Sequence, residues 1–196
     1  MNRIGAALAL MLAVTAPAQA AVIVYSTNLT DALEPNPSPA TGFAMVTIDD
    51  VANTMRVQAS FSGLLGNSTA SHIHVINGPG DANTADQNGP VATTTPTFAG
   101  FPLGVTSGIY DQTFSLTASG SYNPAFVTAA GGTVPQARVA FLQGLDDERA
   151  YFQIHSSVAL GGEIRGFLEA QDVPEPTSLT LAGLALAGLF LRRRSR

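Results

Sequence analysis

The chain has 196 residues, 12% of them charged and 45% apolar, with three histidines and no cysteine. That length suits one domain with a substantial core, and the lack of cysteine excludes a disulfide framework. Between Ala21 and Asp172 four arginines and no lysine stand against thirteen acids, a formal charge of −9; a segment so acidic repels phosphate backbones, which excludes nucleic acid as a partner.

In chain order, residues 1–20 read as a signal peptide. Arg3 supplies the early positive charge, Ile4 to Val14 is an apolar run with no polar face, and Ala18-Gln19-Ala20 offers the small residues that a signal peptidase reads. Cleavage after Ala20 leaves Ala21-Val22-Ile23-Val24-Tyr25, a β-rich opening strand. Glu34-Pro35-Asn36-Pro37-Ser38-Pro39 is too proline-dense for a helix or a central strand. Thr41 to Asp49, alternating around Phe43, Met45 or Val46, and Ile48, pairs as a hairpin with Met55 to Phe61. In the latter, Met55, Val57, Ala59 and Phe61 share one face.

Ser71-His72-Ile73-His74-Val75-Ile76 is the next strand. Period two puts His72 and His74 on one face and Ile73 and Val75 on the other. A polar loop rich in glycine and proline follows from Asn77 to Pro90. Ile109 to Leu116 is a strand with Phe114 and Leu116 on one side. Thr133-Val134-Pro135-Gln136 is a capping box that opens a helix over 133–146, with Ala137, Phe141, Leu142 and Leu145 at helical spacing. Tyr151 to His155 sets Tyr151, Gln153 and His155 opposite Phe152 and Ile154, and in the last strand, Ile164 to Leu168, Glu163 and Arg165 lie opposite Ile164. The predicted fold is all-β: an antiparallel β-sandwich or flattened Greek-key barrel with one short helix.

The C-terminus carries Pro174-Glu175-Pro176, an apolar helix at about 177–191, and the cluster Arg192-Arg193-Arg194. Fifteen apolar and small residues make a helix of about 22 Å, short against a hydrocarbon core of about 30 Å. Snorkelling arginines on the cytoplasmic side would anchor it, leaving the domain outside the membrane.

Three resemblances follow from these motifs. The Pro-Glu-Pro, apolar helix and arginine cluster, over Val173 to Arg196, resemble the PEP-CTERM sorting signal. That resemblance implies recognition by an exosortase and release or attachment at the outer surface of an exopolysaccharide-producing Gram-negative bacterium. Residues 21–172 resemble the CHRD domain, the module named for chordin. The resemblance runs through Glu34-Pro35 to Ser38-Pro39-Ala40-Thr41-Gly42; Phe61-Ser62-Gly63-Leu64 with Ser71-His72-Ile73-His74 and Asn88-Gly89-Pro90-Val91; and Tyr151 to His155 with Gly161-Gly162-Glu163-Ile164-Arg165-Gly166. The chain departs from the family at Gln153 and Ser156, where asparagine and threonine are more usual, and in a longer loop after Gly80. The family implies a β-rich extracellular module without bringing an activity. The His-x-His strand is also similar to copper/zinc superoxide dismutase, but three histidines and no cysteine do not supply that enzyme's two metals and disulfide.

Two readings of the chemistry stay open. His72 and His74, roughly 7 Å apart along a strand, can reach one ion. His155 and Glu163 would complete a tetrahedral set for zinc or copper. The alternative is a structural polar cluster with Glu163 paired to Arg165 or to a histidine. Calcium at Asp81 to Gly89 fits less well, since EF-hand spacing and a closing glutamate are missing and turn chemistry explains those residues equally. The expected function is an exported, non-catalytic binding or matrix module at the cell surface, with exopolysaccharide or surface proteins as partners. The alternative is a metal-binding domain or metalloenzyme.

Overall fold

The computed structural model describes residues 22–82 and 87–171. The expected signal peptide, the Pro174-Glu175-Pro176 segment, the helix at 177–191 and the arginine tail lie outside them. Among the described residues no helix is long and apolar enough to cross a membrane.

Two antiparallel sheets face each other. The larger has the order β5-β3-β2-β1-β8, built from β1 (Val22–Leu29), β2 (Thr41–Asp49), β3 (Thr54–Ser62), β5 (Gly108–Ser115) and β8 (Glu169–Gln171). The smaller has the order β4-β6-β7, from β4 (Ser68–Val75), β6 (Ala150–Ser156) and β7 (Ile164–Phe167). The chain crosses between sheets after β3, β4, β5 and β7, so neither sheet is complete without the other.

Period-two burial sets the large sheet. In the β2–β3 hairpin Ala44, Val46 and Ile48 lie opposite Ala59, Val57 and Met55, and all six are buried against the core. The Asp49 carboxylate fixes the turn by accepting from the backbone N–H groups of Val51 (3.0 Å) and Ala52 (2.7 Å). Of the residues the alternation was expected to run through, Val46 and Ile48 point inward, whereas Phe43 and Met45 point outward and Phe43 is 42% exposed. Phe43-Ala44-Met45-Val46 is apolar on both faces, so the sequence pattern has no phase there.

The predicted helix is present as α2 (Val134–Asp146). Thr133 Oγ1 caps it by accepting from the Gln136 N–H at 3.4 Å. Its buried side meets the end of β4 so closely that a Cβ on Gly144 would sit 2.7 Å from Val75 Cγ1. A second, six-residue helix, α1 (Pro124–Ala129), precedes it, with Asn123 as N-cap, Pro124 in the first turn and Phe126 buried. Between the sheets Phe98 stacks on Phe152 at 6.0 Å and packs against Phe114 at 5.4 Å.

Candidate metal centre

On the small sheet the alternation holds, but both faces are covered. Ile73, Val75, Phe152 and Ile154 point into the core, fully buried. The opposite face carries His72 and His74 from β4, Tyr151, Gln153 and His155 from β6, and Arg165 from β7. Register places His74 beside Tyr151, His72 beside Gln153, Ala70 beside His155, and Gln153 beside Arg165. These polar side chains are buried too: His72, His74 and His155 are only 6%, 7% and 9% exposed. Three loops roof the face, at 31–38, 87–97 and 157–163, and each supplies hydrogen-bond partners to it.

The three histidines converge. One ligand nitrogen from each lies within 4.8 Å of the other two, the one such group of His and carboxylate side chains among the described residues. The outward nitrogen of each ring meets a backbone carbonyl. His72 Nε2 lies 2.7 Å from Pro96 O, His74 Nδ1 2.9 Å from Gly89 O, and His155 Nδ1 2.9 Å from Leu160 O. A carbonyl can only accept, so these partners assign the ring proton to the outward nitrogen in all three cases. The inward atoms, His72 Nδ1, His74 Nε2 and His155 Nε2, then carry bare lone pairs. His72 Nδ1 and His155 Nε2 face each other at 3.3 Å, and His74 Nε2 is buried without a hydrogen-bond partner.

Electrostatics keep the rings neutral. Burial, outweighing the Pro96 carbonyl, lowers His72 to about 4, with repulsion from His155 adding to it. Burial likewise lowers His74 to about 3 despite Gly89, and lowers His155 despite Leu160. Neutral imidazoles with fixed tautomers and inward lone pairs are ready to ligate, and carbonyl partners on the second nitrogen are the usual support of a metal-bound histidine.

Around this group lies a buried polar column. The Tyr151 ring stacks on His74 with centroids 4.8 Å apart and planes 12° from parallel. Its hydroxyl accepts from the Gly89 N–H at 3.2 Å, on the same residue whose carbonyl holds His74. The Arg165 guanidinium covers the Tyr151 ring at 4.8 Å. Arg165 also donates to Gln87 O, Asn88 Oδ1 and Leu33 O, and its Nε lies 3.3 Å from Glu34 Oε1 in an ion pair whose partners are both 3% exposed. Gln153 Nε2 donates to the same Glu34 oxygen at 2.5 Å.

Glu163 stands apart from the three-histidine group. Its Oε1 accepts from Ser38 Oγ (2.7 Å) and the Leu65 N–H (2.6 Å), and its Oε2 from the Gly66 N–H (3.5 Å). Burial pushes this carboxyl up, but the hydrogen bonds outweigh it and hold the group below the usual range. Glu163 precedes β7 and follows Gly162 (φ 134°), so strand alternation does not govern its direction. A Cβ on Gly162 would lie 1.9 Å from Gln153 Nε2, which is why the loop can close over the sheet only with glycine there. The expected pairing of Glu163 with Arg165 is not formed: Glu34 takes the arginine. Sequence reasoning missed Glu34 as that partner and the carbonyls of Gly89, Pro96 and Leu160. Gly89-Pro90 and Thr95-Pro96 were the nearest signals, as breakers that let backbone turn toward the sheet. In the loop read as a weak calcium candidate, Asp81 serves a turn, accepting from the Asn77 N–H at 2.7 Å.

A profile of the CHRD domain matches residues 25–168, most of the chain, and a profile of the PEP-CTERM protein-sorting motif matches residues 172–194. Comparison with curated proteins and with solved structures gives no match. The sorting motif implies processing by an exosortase and export through the membrane to the cell surface or the extracellular space. The covered histidine face, the Gly-Gly-Glu-Ile-Arg-Gly turn that closes over it and the profile spanning both sheets fall within one module: the chain belongs to the CHRD domain family and carries a C-terminal PEP-CTERM motif.

Proposed function

We propose that this is an exosortase-sorted surface protein whose CHRD domain binds one transition-metal ion, zinc or copper, through His72, His74 and His155. The observation that carries this reading is the set of three inward lone pairs. Each is fixed by a carbonyl on the far side of its ring, and one is buried with no partner. A purely structural cluster would have a proton between at least two of those nitrogens. Here all three protons are committed outward, and a single cation at the centre satisfies all three lone pairs at once.

In this reading the domain is a binding module of the cell surface or its exopolysaccharide matrix, not an enzyme. Two buried acids of the roofing loops, Glu34 and Glu163, are engaged with Gln153 and Arg165, and with Ser38, Leu65 and Gly66, so neither is free to serve the ion as a base. The test is the metal content of the full-length chain, purified in mild detergent without a histidine tag, beside His72→Ala/His74→Ala. We expect about one zinc or copper per chain, lost in the double variant. A chain that comes out metal-free and stays so after exposure to both ions would overturn the reading.

A further inference from the structure

Building on the metal-binding reading, we infer that the site prefers a monovalent cation, Cu(I), to the dication Zn(II). The argument rests on charge and on ligand number. The three donors are neutral imidazoles, and no carboxylate of the described residues joins them. Glu163 is held away by Ser38 Oγ and two backbone N–H groups, and the Glu34 charge is cancelled by Arg165 at 3.3 Å. The nearest guanidinium sits one aromatic ring from the site, stacked over Tyr151, which is itself stacked on His74.

A buried cation thus finds no anion to offset its lost hydration. That loss grows with the square of the charge, so a dication suffers about four times the penalty of a monocation. Ligand number acts in the same direction. With three ligands from the described residues, Zn(II) must complete its tetrahedron with a water or hydroxide admitted beneath the roofing loops, whereas Cu(I) is complete with three.

The experiment is competition on the full-length chain in detergent. Cu(I) is titrated without oxygen against a chromogenic Cu(I) chelator, and Zn(II) against a chromogenic zinc indicator. We expect Cu(I) to be held at least about a hundredfold more tightly. Substituting His155→Glu keeps a ligand and adds one negative charge, and should move that ratio toward zinc by about tenfold or more. Zinc bound as tightly as Cu(I), or a ratio unmoved in the glutamate variant, would overturn the preference while leaving metal binding intact. Neither ion binding at one per chain would overturn the metal reading itself, and the preference with it. If the glutamate variant fails to fold, the wild-type ratio alone decides.

Discussion

The two sheets solve the same packing problem and diverge on their outer faces. On the large sheet β3 alternates: Met55, Val57, Ala59 and Phe61 are buried, and Arg56, Ser60 and Ser62 are in water. On the small sheet every residue of β6 is buried, Tyr151, Gln153 and His155 included. Core packing accounts for one face of each sheet. It does not account for three loops drawn over a polar face, where every buried donor and acceptor must be satisfied at a cost in desolvation. The large sheet's outer pair, Arg56 with Asp111, is half-exposed; the small sheet's pair, Glu34 with Arg165, is sealed. Among the described residues this covering of charged and polar groups on the small sheet is what supports the proposed site there.

The contrast can be broken most severely at Arg165. Arg165→Met removes the buried partner of Glu34, three hydrogen bonds to two roofing loops and the cover of Tyr151. It should lower unfolding stability by about 3–5 kcal/mol in urea. A loss close to zero would mean that the roof is not held from beneath.

The next effect in size is pH dependence. In the metal-free protein His72 and His74 are depressed from 6.5 to about 4 and about 3 by burial. As pH falls below 6.5 the unfolded chain therefore takes up protons before the folded one does. The stability these neutral rings contribute is complete above pH 6.5, declines as pH falls to about 4 for His72, and continues down to about 3 for His74. By about pH 5.5 the loss is on the order of 3 kcal/mol, about 1.4 from each ring. Thermal midpoints across that range should show it, and His72→Asn should flatten the curve. A wild-type curve already flat between pH 6.5 and 4 would contradict buried neutral imidazoles.

The smallest effect belongs to the other sheet. Arg56→Met should leave the urea midpoint unchanged, because its partner Asp111 is in water and screened. A drop comparable to that of Arg165→Met would erase the distinction between the sheets.

The faces were legible in the sequence because His72-x-His74 and Tyr151-x-Gln153-x-His155 alternate with fully apolar positions. That alternation placed five of the side chains now found on one surface. The cover was not legible. It is made by backbone carbonyls of Gly89, Pro96 and Leu160, and a carbonyl has no residue signature. Glu163 was misplaced as a ligand because period two was extended past the start of β7, across a glycine at φ 134°. The helix α1 had a readable start in Asn123-Pro124, a capping residue before a first-turn proline, but six residues give too little periodicity to stand out.

The most direct test of the central claim is anomalous diffraction from crystals of the full-length chain equilibrated with copper or zinc, with data at each metal's absorption edge. The account predicts one peak on the outer face of the β4–β6 pair, about 2.0–2.1 Å from His72 Nδ1, His74 Nε2 and His155 Nε2. The three outward nitrogens should still rest on Pro96, Gly89 and Leu160. A peak held by other residues, or three imidazoles hydrogen-bonded to one another with no metal between them, would contradict it.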